Sequence, residues 1–416
     1  MPIPLIAQGL QDGIGSIPYA WTVIKTAPWL LLIAALKYYF GGARNTSERL
    51  MHSKVVMVTG GTSGIGASVV QELAKRGAQV ILLTKQPPSD LFLVEYIEDL
   101  RRTTGSQLIY AEQVDLSSLH SIRTFATKWI DNNPPRRLDA VVLCGGVAVP
   151  SSARKNTIDG IDEEWQVNYL ANFHLLSILS PALRVQPAHR DVRVVFATCS
   201  SYIGAKFDLD IVKRGNESIN KSTTKSSTPP PSKKGIYALS KLSLMTFAHS
   251  FQRHLNAYAR PDGLPPCTRV LVVDPGLSRT PGTRRWLTCG SLLGLLVYLL
   301  TWPLWCLILK SPQQGAQSIL YALMEENYSR GEGGWMIKEC REVDCARRDV
   351  RDEDLGKRLW EFSEKQIEEA EKESAVRRAV EKKEKEVQEE KKGRTETASG
   401  KEKSAGSRRS RKGNKS

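Results

Sequence analysis

The chain has 416 residues and a formal net charge of +15, part of which is concentrated in a basic carboxyl-terminal segment. This segment carries no interleaved aromatic residues and accompanies no nucleic-acid-reading motif, so we expect a solubilising tail, with attraction to anionic lipid second, and no nucleic-acid partner. The seven cysteines, an odd number, argue against a disulfide-stabilised secreted protein and favour free thiols facing the cytosol.

The amino-terminal segment, residues 1–50, contains two apolar runs. They cover residues 21–24 and 28–40 and are separated by Lys25. The longer run is too short to span a bilayer comfortably, and it has no small-residue cleavage site. It therefore predicts an interfacial anchor and not a secretory signal.

A glycine-rich turn follows the apolar run at residues 55–58 and precedes a helical stretch at 67–75. A strand that enters a helix through such a turn presents backbone N–H groups and the helix dipole to a pyrophosphate, where a Cβ would hold the phosphate away. The alternative is a glycine-rich turn that ends the strand and has only a structural role. The candidate dinucleotide contacts are Gly60, Thr62, Ser63, Gly64, Ile65 and Gly66.

Tyr237 and Lys241 lie far downstream and four residues apart, which places them on one face of a helix. Strand and helix patterns alternate along the chain and predict a parallel, doubly wound α/β sheet. The motifs TGxxxGxG and YxxxK, in this order, resemble the short-chain dehydrogenase/reductase family over about residues 52–340. The resemblance implies a Rossmann fold at residues 51–345, with a seven-stranded parallel sheet and helices on both faces. The apolar runs for these strands lie at about 55–58, 79–84, 108–114, 139–145, 192–198, 268–273 and 334–338.

Residues 159–173 resemble the retinol-dehydrogenase-like subgroup and the fungal lipid-droplet and endoplasmic-reticulum oxidoreductases. In that resemblance Asn168 holds a proton-relay water beside Lys241, while a polar residue that kinks or caps the central helix is the alternative. Tyr237 would supply the proton for the developing alkoxide, and the nearby Lys241 cation would favour its phenolate.

A serine hydroxyl would complete the catalytic set by hydrogen-bonding the substrate oxygen. Counting from the start of the strand places Cys199 at the family's serine, whereas matching Ser-Ser-x-x-Gly places Ser201 there. Because a thiol is a weak donor, we favour Ser200 or Ser201. A second departure is Leu143-Cys144-Gly145-Gly146 where the family commonly has Asn-Asn-Ala-Gly, which argues against a fast, typical enzyme.

Cofactor choice depends on the end of the second strand. NAD users usually have a carboxylate where this chain has Thr84, and Lys85 can instead pair with a 2′-phosphate, which predicts NADP(H). A solvated strand-end lysine is the alternative. The resemblance assigns further cofactor contacts to Asp115, Leu116, Gly145, Gly146, Asn168, Tyr237, Lys241, Pro275, Gly276, Ser278 and Thr280. No metal site is expected.

Residues 286–309 contain no charged side chain and are long enough for a helix across the bilayer core of about 30 Å. A single span is disfavoured, because residues 334–337 must return to the same sheet as residues 55–83. A shallow hairpin broken near Pro303 satisfies this topology, and a buried lid helix is the alternative. Since the family places its substrate lid here, we expect a lipophilic substrate, namely a retinoid, a sterol or a lipid aldehyde or ketone.

Two segments are expected to be disordered, at least in part. We expect an insert at residues 211–234, and at residues 346–416 a charged helix that is followed, after Gly393, by a basic tail.

The sequence as a whole predicts an NADP(H)-dependent oxidoreductase on the endoplasmic-reticulum membrane or a lipid droplet, facing the cytosol, with a homodimer as one option. The alternative is a catalytically weak NADPH-binding scaffold.

Overall fold

The computed structural model describes residues 19–149, 155–213 and 235–409. A central eight-stranded sheet consists of β1 Val55–Thr59, β2 Gln79–Thr84, β3 Ile109–Gln113, β4 Ala140–Leu143, β5 Val192–Ala197, β6 Thr268–Asp274, β7 Trp335–Lys338 and β8 Arg341–Val343. Their spatial order is β3-β2-β1-β4-β5-β6-β7-β8, with β1 to β7 parallel and β8 antiparallel to β7. The predicted seven-stranded parallel sheet is confirmed. The additional strand β8 gave no signal because two of its three residues are charged.

Helices cover both faces of the sheet, and further helices lie outside it. In chain order the helices are α1 Ala20–Gly41, α2 Gly64–Lys75, α3 Leu91–Thr104, α4 Leu119–Ile130, α5 at 163–184, α6 Gly235–Asn256, α7 Pro281–Thr288, α8 Leu292–Leu300, α9 Trp302–Ile308, α10 Pro312–Met324 and α11 Glu353–Arg409. Strands β1, β4 and β6 are buried along their whole length, as expected for parallel strands covered by helices on two sides. Strands β2 and β3 are added on one side of β1 and strands β4 to β8 on the other, so the strand order reverses between β1 and β4, which creates a crevice at their carboxyl ends.

Helix α1 is longer than the sequence pattern indicated. It continues through Lys25 and Pro28, and residues 21–41 are long and apolar enough to cross a membrane. Our expectation that this region is too short to span was therefore wrong. A helix readily includes a lysine, so the length of the helix, and not of the uninterrupted apolar run, sets the thickness it can cross.

The apolar segment at 286–309 contains the end of α7 and the short helices α8 and α9, not one long helix. Leu292, Leu296 and Leu300 are 87%, 54% and 74% exposed, which contradicts the buried-lid alternative. The two ends of the segment meet, because the Arg279 N–H donates to the Lys310 carbonyl at 2.8 Å and Lys310 N–H donates to the Leu277 carbonyl at 3.0 Å. The chain thus leaves and re-enters the domain at one place, as a hairpin requires.

The first turns of α11 pack on α5 and α6. The Tyr169 hydroxyl lies 2.7 Å from Ser363 Oγ, and the Trp360 ring packs against Phe173 and Phe247 with centroids 5.1 and 5.7 Å apart. Residues 364–416 form a second unit, in which the helix passes Gly393 and ends at Arg409, beyond the boundary we expected. Of the predicted disordered segments, residues 214–234 and 410–416 lie outside the described residues.

Candidate active site

The glycine-rich turn between β1 and α2 lies at the crevice and has space only for glycine. Gly60 and Gly64 have φ of +66° and +58°, a region that disfavours side chains. A Cβ on Gly66 would lie 2.2 Å from the Gly60 carbonyl oxygen, and one on Gly60 would lie 2.8 Å from the Gly145 Cα. Thr62 and Ser63 are exposed at the start of α2, and the Ser63 side chain caps no N–H. The helix N-terminus is therefore open to a phosphate, and the residues present fit a dinucleotide.

Three neighbours support this turn. The Tyr96 hydroxyl, on α3, donates to the Gly61 carbonyl at 2.8 Å, and burial raises the pKa of Tyr96 to about 12, so it stays a donor. The Gly145 N–H donates to Thr59 Oγ1 at 3.1 Å, and Leu116 packs beneath Gly145. The sequence pattern of α3 marks Tyr96 only as part of an amphipathic helix, so its contact with the turn could not be foreseen.

Lys85 and Asp115 lie together at the carboxyl ends of β2 and β3. Lys85 Nζ is 3.2 Å from Asp115 Oδ2, and the Lys85 side chain is 70% exposed. Thr84, by contrast, is buried, and its Oγ1 donates to the Gln86 carbonyl at 3.0 Å. The accessible charged group at this edge is therefore Lys85.

The segment after β6 lies on the other side of the turn. Thr280 caps α7 and lies so close to the turn that its Cγ2 is 3.3 Å from a Cβ position on Gly64. Pro275 is buried, and Gly276 has φ of +74°. Ser278 is also buried, and its Oγ faces Gly315 of α10 and makes no hydrogen bond within the described chain.

Asn168 lies in a π-helical turn of α5, at Gln166–Leu170, and is fully buried. Its Oδ1 accepts from the Val147 N–H at 2.7 Å, and its Nδ2 donates to the Val147 carbonyl at 2.9 Å. A Cβ on Gly146 would lie 3.1 Å from Asn168 Oδ1 and 3.7 Å from Lys241 Nζ. Asn168 thus holds the loop after β4 beside Lys241, at a π-bulge of the kind often found at functional sites.

Tyr237 and Lys241 are on α6 and face this loop. Lys241 Nζ lies 6.0 Å from the Tyr237 ring centroid and donates to the Ala197 carbonyl at 3.5 Å. Burial, followed by the neighbouring Cys199, raises the pKa of Tyr237 well above its ordinary value. Desolvation is the largest cause of this shift. That Lys241 favours the phenolate stays a prediction.

The loop after β5 places a thiol, not a serine, against Tyr237. Cys199 Sγ lies 3.5 Å from the Tyr237 hydroxyl and 2.8 Å from Ser201 Oγ. Ser200 Oγ instead donates to Asp274 Oδ2 at 2.8 Å, at the end of β6. The structure therefore brings Cys199 next to Tyr237, with Ser201 behind the thiol and Ser200 directed elsewhere, although the sequence favoured the two serines.

Comparisons with known proteins agree with this geometry. A family model described as short chain dehydrogenase matches residues 54–206. An uncharacterized oxidoreductase of Schizosaccharomyces pombe, pbr1, is 41% identical over 374 residues, which cover 89% of this chain and 97% of the relative. The chain belongs to the short-chain dehydrogenase/reductase family.

Within this family the relatives include retinol-dehydrogenase-like proteins. Mouse retinol dehydrogenase 13 is 29% identical over 331 residues, covering 78% of this chain and 87% of the relative. Mouse polyprenol dehydrogenase is 30% identical over 309 residues, covering 74% and 82% respectively. This short-chain dehydrogenase is therefore an oxidoreductase of the retinol-dehydrogenase-like subgroup, and the resemblance noted in the sequence is confirmed.

Proposed function

We propose that this protein uses NADP(H) to interconvert a lipophilic carbonyl and its alcohol at the surface of the endoplasmic-reticulum membrane or a lipid droplet. The observation that carries the proposal is the convergence of Asn168 and Lys241 on the loop after β4, which contacts the glycine-rich turn at Gly60, with Tyr237 one helical turn before Lys241. A proton donor, a cation and a dinucleotide cradle in one crevice are what carbonyl reduction requires.

Each site residue has a separate task in this proposal. The nicotinamide cofactor would supply or accept the hydride. The backbone from Gly60 to Gly66 would hold its pyrophosphate, and Lys241 its ribose. Tyr237 would donate its hydroxyl proton to the substrate oxygen as negative charge develops there, because a phenol is protonated at neutral pH and the developing alkoxide is a stronger base than the phenolate.

The lipophilic substrate class rests on the surface around the site. The side chains of α8 and α9 are exposed and largely apolar, and Lys37 of α1 donates to the Cys306 carbonyl of α9 at 2.6 Å. The two apolar parts of the chain therefore lie side by side, and together they exceed the isolated apolar residues found on an ordinary protein surface. The retinol and polyprenol dehydrogenases among the relatives support the same substrate class.

The preference for NADP(H) rests on Lys85. Its ion pair with Asp115 is exposed, so the pair stabilises the fold by at most about 1 kcal/mol, and Lys85 can exchange its partner for a 2′-phosphate at little cost. A lysine at this position attracts the doubly charged phosphate and gains nothing from a 2′-hydroxyl.

We expect Lys85→Ala to weaken NADPH binding about tenfold and to leave NADH binding nearly unchanged, because only NADPH carries the 2′-phosphate. Lys85→Asp should weaken NADPH binding further through repulsion. Fluorescence titration of both nucleotides measures the effect. Lys128→Ala is the matched control. Lys128 lies on α4, is 65% exposed and pairs at 3.3 Å with Glu112 of the edge strand β3. Equal affinity of the unmutated protein for NADH and NADPH would contradict the preference.

The activity is tested with the full-length protein in detergent or lipid nanodiscs. Retinal, a sterol ketone and a long-chain aldehyde are offered with NADPH, and oxidation of NADPH is followed by the loss of its absorbance. We expect turnover of at least one of these and little turnover of short, water-soluble ketones. An absence of turnover together with tight NADPH binding would favour the second candidate, a cofactor-binding scaffold, which the lost asparagines near Cys144 motivate.

A further inference from the structure

The loop after β5 carries three side chains that could approach the substrate oxygen, and they have different partners. The Ser200 hydroxyl donates to Asp274, whose carboxylate is 2% exposed and also lies 3.5 Å from Lys338 Nζ. Ser201 Oγ contacts Cys199 Sγ at 2.8 Å. The Cys199 sulfur is the atom of this loop that lies beside the Tyr237 hydroxyl.

The position of Cys199 is held from two directions. Its neighbour Thr198 is buried, and the Thr198 N–H donates to the Val273 carbonyl at 2.8 Å, which ties the start of the loop to β6. On the other side, the Ser200–Asp274 hydrogen bond and the 3-10 turn at Ser200–Gly204 direct the chain away from the crevice. Cys199 therefore cannot exchange places with Ser200 unless a buried carboxylate loses its hydroxyl donor, which is costly.

We propose that the Cys199 thiol takes the part of the hydroxyl that holds the substrate oxygen beside Tyr237, and that Ser201 orients this thiol. This inference rests on the proposed function. Cys199 Sγ and the Tyr237 hydroxyl are 3.5 Å apart, so an oxygen that lies to one side of this pair, at hydrogen-bond distance from each atom, can accept a hydrogen bond from both. During reduction a hydride adds to the carbonyl carbon, the carbonyl π electrons move to oxygen, and that oxygen takes the Tyr237 proton. The S–H bond of Cys199 stays intact throughout.

A thiol in this place has a measurable consequence. The S–H group is a weaker and longer donor than O–H, so it stabilises the developing alkoxide less than a serine would. The site is therefore built for slower chemistry than a serine would allow. Replacing this sulfur atom by oxygen, in Cys199→Ser, should therefore raise kcat.

The test compares Cys199→Ser, Cys199→Ala and Ser201→Ala in the full-length protein with NADPH and the best carbonyl substrate found. We expect Cys199→Ser to raise kcat about threefold to tenfold, Cys199→Ala to lower it about tenfold, and Ser201→Ala to lower it less. NADPH affinity should stay the same in all three, because the loop residue acts on the substrate oxygen. Cys345→Ser, a half-buried cysteine that contacts His249, is the control and should behave as the unmutated protein does.

Chemical modification gives a second measurement, in which each protein is compared with its own activity before treatment. Methyl methanethiosulfonate adds a methylthio group to a thiol, and we expect it to inactivate the unmutated protein and Cys345→Ser while sparing Cys199→Ser. Full kcat in Cys199→Ala combined with loss of activity in Ser201→Ala would overturn the inference in favour of Ser201. If the unmutated protein turns over no carbonyl substrate, the proposed function fails instead, and the two failures are thus distinguishable.

Discussion

Replacing Tyr237 by phenylalanine is expected to abolish turnover, with a loss of kcat of at least about a thousandfold, while NADPH affinity changes little. The hydroxyl is needed only as negative charge develops on the substrate oxygen, so its removal raises the barrier without affecting the ground-state complex. Steady-state kinetics and fluorescence titration of NADPH, performed on the same preparation, separate the two effects. Tyr110→Phe, an exposed hydroxyl on β3, is the matched control and should retain full activity.

Lys241→Ala distinguishes the two roles of this side chain. Because we expect Lys241 to bind the cofactor ribose and also to assist proton transfer from Tyr237, the variant should lose both NADPH affinity and turnover, in contrast to Tyr237→Phe. Full activity of Tyr237→Phe on the best substrate would mean that the crevice at Tyr237 is not where the reaction occurs.

The second large effect concerns membrane attachment. Deleting residues 1–45 should weaken the association with membranes or lipid droplets, and additional serine substitutions on α8 should release the protein to the soluble fraction. Each apolar segment adds its own affinity for the membrane, and two linked segments multiply the residence time. Flotation of sealed vesicles with the bound protein measures the effect. The substituted positions are the exposed residues Leu292, Leu293, Leu296 and Leu300.

A control for this experiment replaces exposed apolar residues elsewhere. Leu91, Phe92 and Leu264 are 75%, 80% and 52% exposed and lie outside α1, α8 and α9, so serine substitutions there should leave flotation unchanged. Release by the control variant would indicate general loss of structure.

The hairpin topology also predicts from which side of a membrane the chain can be cleaved by a protease. Because Arg279 and Lys310 are hydrogen-bonded to each other, a bilayer that the apolar segment entered would have the chain before and after this segment on one side. A protease site within residues 222–228 and one after Gly393 should therefore be cleaved from the same side of sealed membranes. Protection of only the second site would mean that residues 286–309 cross the bilayer.

The sequence alone was sufficient for the features that depend on local pattern. The runs of β-branched and aliphatic residues predicted β1 to β7 because parallel strands covered by helices must be apolar on both faces. The turn from Gly60 to Gly66 was recognisable because a backbone with positive φ and no room for a Cβ accepts only glycine. The pairing of Tyr237 with Lys241 followed from helical spacing, which is local as well.

Features that depend on contacts between distant residues were decided only by the tertiary structure. The sequence of the loop after β5 allowed two alignments and we favoured the serines, whereas in the structure Ser200 contacts Asp274, 74 positions along the chain, and Cys199 lies beside Tyr237. The pKa of Tyr237 is raised because folding buries it, whereas its spacing from Lys241 suggested the reverse. Tyr96 supports the glycine-rich turn across 35 positions. Local sequence carries no record of such partners, since burial and distance arise only when separate elements pack together.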